Sequence, residues 1–141
     1  MNRTLYCFWF GPEMSDNRRN CYNSILNNSC VSVNLITEQN LHLFNNVNQP
    51  IHTSFQYLSS THKADYLRSY FMYHYGGGYT DIKMCNYDWN RYFDMLQYSD
   101  KQFIGYRERT PNDVAYGPSK QLFKQLAGNC SYIFKKPTAF A

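Results

Sequence analysis

Between Ser60 and Lys83 the chain concentrates groups that could hold and polarise a ligand. Asp65 and Arg68 are three residues apart, so on a helix they share one face and can form a charge pair. Gly76, Gly77 and Gly78 follow, and then Tyr79-Thr80-Asp81-Ile82-Lys83. Glycine turns the backbone through positive φ and lets it approach a ligand closely, so this run would deliver Asp81 at the end of a short strand. A carboxylate there can take sugar or ribose hydroxyls, or a metal. Taken singly, Asp65 and Arg68 would be an exposed helix ion pair and Asp81 a turn carboxylate. Their order within one stretch is what points to a ligand.

The elements that must position these groups alternate between strand and helix. Residues 4–9 are rich in β-formers and stop at Gly11-Pro12, as a buried first strand should. Ser15 or Asp16 can cap a helix that carries Cys21, Tyr22, Ile25 and Leu26 on one face, and residues 31–36 read as a second strand. This β-α-β unit implies a parallel sheet whose ligands collect at the carboxyl ends of the strands, at Trp9, Phe10 and Gly11. Trp9 there suits either the core or the stacking of a base on its flat face.

Further along, the pattern predicts a short helix over 37–44 and a longer one from Ser59, Ser60 or Thr61 to Tyr75, ended by the glycines. A strand over 79–83, a helix from Trp89 to Gln97 capped by Asp88, and a strand over 102–106 follow. Pro118 opens a predicted helix through Ala127, Gly128-Asn129 stops it, and residues 130–134 form the last predicted strand. We expect one α/β domain over residues 1–141.

Composition narrows the function. With 141 residues, 14 Lys and Arg against 10 Asp and Glu, and a formal charge of +4, the basic residues are dispersed except at Arg18-Arg19 and Lys135-Lys136. That gives no compelling nucleic-acid footprint, though weak attraction to nucleotide diphosphates fits. The chain has no run of 18 apolar residues and no signal-peptide order at its start, so the expectation is a cytoplasmic protein without a transmembrane segment. Five scattered cysteines without a CxxC pair read as buried free thiols, and the four histidines lack metal-ligand spacing.

The 65–83 stretch resembles the glycosyltransferases whose sugar-binding region contains a DxD motif, including relatives of outer-chain α-mannosyltransferases and, more closely, capsular polysaccharide synthesis proteins. That pattern is an Asp, an Arg three residues later, Tyr-Gly-Gly, and Asp-x-Asp. Asp65, Arg68, Tyr75, Gly76, Gly77, Tyr79 and Asp81 match it, and Phe8-Trp9-Phe10-Gly11 is similar to the family's first strand and nucleotide-binding edge. The resemblance covers about residues 4–138.

The resemblance implies a GT-A type fold, a Rossmann-like αβα sandwich with a mostly parallel central sheet. Against that resemblance the expectation is a chain short or truncated at its C-terminus. The implied reaction moves a sugar from a UDP- or GDP-linked donor to a glycan or polysaccharide acceptor with retention of configuration. Trp9, Asp65, Arg68, Gly77, Gly78, Tyr79, Asp81 and Lys83 would bind the donor, and Asp81 would also hold Mn²⁺ or Mg²⁺. Lys83 replaces the second Asp of the motif, and an ammonium cannot ligate a cation. Either Lys83 itself neutralises the departing diphosphate, or Asp81 holds the metal with water, or the chain is a non-catalytic nucleotide-sugar or glycan-binding module.

Overall fold

The computed structural model describes residues 1–136. Five strands form one sheet: β1 (Thr4–Phe8), β2 (Ser32–Ile36), β3 (Gly77–Thr80), β4 (Phe103–Arg107) and β5 (Ala127–Phe134). Their order across the sheet is β2-β1-β3-β5-β4. β1 runs parallel to both β2 and β3, while β5 is antiparallel to β3 and to β4. The parallel pairings need crossovers, and α1 (Asp16–Asn28) and α2 (Ser60–Tyr75) lie in them, whereas α3 (Asn90–Gln97) precedes β4.

Alternation along β1 divides the core. Leu5 and Cys7 pack with Cys21 and Ile25 of α1 and Phe93 and Leu96 of α3. Tyr6 and Phe8 point the other way and pack with Leu67, Tyr70 and Phe71 of α2. The result is helices on both faces of a sheet, the expected outcome when a strand is apolar on both sides. α2 starts where the Ser59 hydroxyl accepts from the His62 N–H and ends at Gly76, whose φ of 61° only glycine adopts without strain.

Several sequence expectations shift. Trp9 lies just past β1, although its N–H still donates to the Ile36 carbonyl at 2.9 Å. The expected helix over 37–44 contracts to a 3₁₀ turn at Leu41–Phe44, and a second turn at Thr53–Tyr57 was not legible. β3 begins at Gly77 rather than Tyr79, and Asp81 to Lys83 lie beyond it.

The largest difference concerns residues 118–127. The expected helix is a 3₁₀ stretch at Gly117–Leu122, and Gly128 and Asn129 belong to β5 instead of stopping a helix. Pairing decides this: Arg107 lies opposite Ala127, and the Tyr106 ring occupies the space beside Gly128 that a side chain would need. The sheet is accordingly mixed, parallel across β2-β1-β3 and antiparallel across β3-β5-β4. The resemblance as read to residue 138 runs past the described residues.

Candidate functional site

The carboxyl ends of β1 and β3 open onto a cleft of about 600 Å³. Trp9 to Glu13 and Tyr79 to Lys83 line it, together with Ser60, Thr61 and Ala64 of α2 and Arg18 of α1. Strand β1 sits between β2 and β3, and a crevice forms where crossovers leave a parallel strand in opposite directions. A neighbouring cavity of about 310 Å³ shares the Trp9–Glu13 loop and reaches Leu35 of β2 and Thr37 and Glu38 beyond it. Trp9 is held in this loop by its indole N–H, which donates to the Pro12 carbonyl at 2.6 Å.

Asp81 is held from several sides. Its N–H donates to the Cys130 carbonyl at 2.7 Å, and its Oδ1 accepts from the Tyr79 hydroxyl at 2.5 Å. Its Oδ2 lies 3.2 Å from Lys83 Nζ, which also donates to Cys130 Sγ at 3.1 Å. Burial, reinforced by the Asp81 carboxylate, raises the Tyr79 pKa far above the ordinary phenol value. The phenol therefore stays a donor. The contacts to Cys130 and Asp81 raise the Lys83 pKa although partial burial opposes them, so its ammonium persists well into alkaline solution.

Asp65 and Arg68 form their expected pair at 2.6 Å on α2. They do not line the cleft but stand behind Tyr79. Arg68 donates to the Asn129 carbonyl at 3.0 Å and lies 5.8 Å from the centre of the Tyr79 ring. The tyrosine thus connects this ion pair to Asp81.

Gly77 and Gly78, expected at the ligand, are not among the residues that line the cleft. A Cβ on Gly77 would sit 2.7 Å from the Thr4 carbonyl oxygen, and one on Gly78 would sit 2.6 Å from Leu5 Cδ2. Gly77 lets β3 pass close to the β1 backbone, and a side chain at Gly78 would displace the end of Leu5. Gly77 also has φ 88°.

Arg18 was not selected from the sequence. Its guanidinium donates to the Ile82 carbonyl at the cleft wall, adding a second cation beside Lys83. Only its place in the Arg18-Arg19 pair hinted at it. The first-turn N–H groups of α2 at Ser60 and Thr61 have no intrahelical acceptors and add positive potential at the same wall.

A divalent cation does not fit the groups at Asp81. Both of its carboxylate oxygens have partners, one of them an ammonium, and Lys83 stands where a second carboxylate is needed. Among the described residues no three His, Cys, Asp or Glu side chains assemble a metal-holding group.

Residues 13–100 match the family described as glycosyltransferase sugar-binding region containing DXD motif. The chain belongs to that family. This glycosyltransferase match covers α1 through α3, with Asp65, Arg68 and Asp81, while Trp9, β4 and β5 lie outside it. Neither the curated proteins nor the solved structures contain a match to the chain. Among the described residues no helix is long and apolar enough to cross a membrane. All five cysteines are free, as expected, but Cys30 is exposed and Cys130 half-buried.

Proposed function

We propose that this one domain is a GT-A type glycosyltransferase that moves a sugar from a UDP- or GDP-linked donor to a glycan or polysaccharide acceptor in the cytoplasm. The observation that carries the reading is the shared cleft, which Trp9, Asp81 and Lys83 line together. The nucleoside occupies the smaller cavity against Trp9, and the diphosphate crosses toward Lys83 and Arg18. Asp81 accepts hydroxyls of the sugar or ribose, and the Asp65–Arg68 pair supports the donor sugar through Tyr79.

Breaking the bond from the sugar C1 to the diphosphate leaves negative charge on the departing oxygens. Lys83, Arg18 and the α2 N-terminus favour that charge without a metal. The family resemblance implies retention of configuration at C1.

Calorimetry with UDP- and GDP-sugars, in Mn²⁺ and in EDTA, tests this. Binding that survives EDTA and weakens in Asp81→Asn and Lys83→Ala is the expected result. No binding of any nucleotide sugar to the folded protein overturns the reading. A second reading, binding without turnover, is favoured by Lys83 at the motif's second acidic position. Donor hydrolysis separates the two, and the anomer released, read by NMR, tests retention.

A further inference from the structure

A second concavity, of about 150 Å³, lies on the α3 side of the sheet, with Tyr87, Trp89, Tyr92, Tyr106 and Ser131 in its wall. Tyr87 and Trp89 stack with ring centres 5.8 Å apart and planes 25° from parallel, and Tyr92 meets Tyr87 edge-on. Tyr87 and Tyr106 are substantially exposed, whereas Trp89 is only 4% exposed. Among the described residues the buried Trp89 indole N–H has no hydrogen-bond partner. A buried donor without a partner costs free energy, so the indole is sensitive to any change in the packing around it.

This concavity adjoins the cleft. Ser131 in its wall and Thr80 in the cleft wall are opposite each other in the β3–β5 ladder, with their hydroxyl oxygens 2.9 Å apart. One connecting segment serves both, contributing Asp81 to Lys83 to the cleft and Tyr87 and Trp89 to the concavity. Tyr106 closes the link, because its hydroxyl accepts from the N–H of Cys130, the residue whose thiol contacts Lys83.

We infer that this concavity is the subsite for a pyranose ring of the acceptor. A pyranose presents a face of C–H groups that lies well on the negative face of an aromatic ring, and a rim of hydroxyls that needs polar partners. Aromatic faces combined with the Tyr106 and Ser131 hydroxyls supply both, and among the described residues no cationic side chain lines the wall to call for a phosphate. The size admits one sugar ring and not a nucleotide. The assignment rests on the glycosyl-transfer reading, since an acceptor needs a donor beside it.

The chain has two tryptophans, so Trp9→Phe leaves Trp89 as the sole indole emitter. Titration of that variant with methyl pyranosides and disaccharides of glucose, galactose, mannose and N-acetylglucosamine should shift Trp89 emission saturably, and UDP alone should not. Adding Tyr87→Ala should weaken the response about tenfold, and Tyr106→Phe by less. The Trp89 indole N–H resonance reports the same event in the unaltered protein, whatever Trp9→Phe does to folding.

No response to any of these sugars by either readout, or a response that neither tyrosine substitution alters, overturns the subsite. Nucleotide-sugar binding without the Trp89 response overturns the subsite and leaves the donor reading standing. A Trp89 response in a protein that binds no nucleotide sugar supports a glycan site and overturns the donor reading.

Discussion

The two faces of the sheet are built from different materials. On the α2 face, rings meet in succession: Tyr6 and Phe8 lie 4.9 and 5.1 Å from Phe71, Phe8 lies 5.5 Å from Tyr79, and Tyr79 lies 5.4 Å from Tyr132. On the α1 and α3 face, aliphatic chains and thiols predominate, among them Leu5, Cys7, Cys21, Ile25, Cys85, Leu96 and Ile133. Rings have few rotatable bonds, so a packed array of them holds orientation, and a tyrosine in that array can end in a hydroxyl. Tyr79 does so at Asp81. The aromatic face therefore orients the carboxylate, while the interior of the other face is filled mainly by aliphatic chains and buried thiols. Cys7 illustrates this, since burial first, and the Asp81 and Cys85 charges after it, push its pKa up to about 12.

The sharpest way to break this contrast is to empty each face in turn. Phe71→Ala removes the ring on which Tyr6 and Phe8 converge and should cost about 3–5 kcal/mol of unfolding free energy by denaturant titration. Cys21→Ala on the other face should cost only about 1 kcal/mol.

At the site, Asp81→Asn keeps the shape and removes the charge that pairs with Lys83, and should weaken nucleotide-sugar binding about tenfold or more by calorimetry. Tyr79→Phe removes only the hydroxyl at the end of the aromatic array. It should leave the melting profile close to wild type and weaken the same binding about fivefold. An unchanged affinity would mean that the aromatic face does not orient Asp81.

The smallest effect concerns His74, on the α2 face. Burial, and then the Lys136 charge, lower its pKa below 6.5, and its Nδ1 lies 3.3 Å from the Asn46 amide. The native state thus binds fewer protons than the unfolded chain as pH falls below about 6.5, so stability declines in that direction until the native ring also protonates. The thermal midpoint should fall between about pH 7 and 5, and His74→Gln should flatten that dependence.

What could be read in the sequence was what local chemistry determines. The Ser59 cap, the glycine stop, the helical spacing of Asp65 and Arg68, and the position of Asp81 after a short strand all act within a few residues. Gly77 and Gly78 were legible as constrained but not as to what constrains them, because Thr4 and Leu5 belong to a distant strand. Residues 127–129 carry helix-stop signals that β4 overrides by pairing. Arg18 enters the cleft only because α1 packs beside the β3 exit, and Trp89 and Tyr92 looked like an ordinary helix face. Each miss is a contact between segments far apart in the chain.

The same distance shapes how the site comes into being. Asp81 and Arg68 are fastened to carbonyls of Cys130 and Asn129, at the start of the last strand, and β3 has only β1 as a partner until β5 joins it. During synthesis Arg68 and Asp81 therefore leave the ribosome before the strand that fixes their orientation. Until then Gly77 to Thr80 present an open edge able to pair with another chain. Pairing with β5 closes that edge and at the same time fastens Asp81 and Arg68 in place.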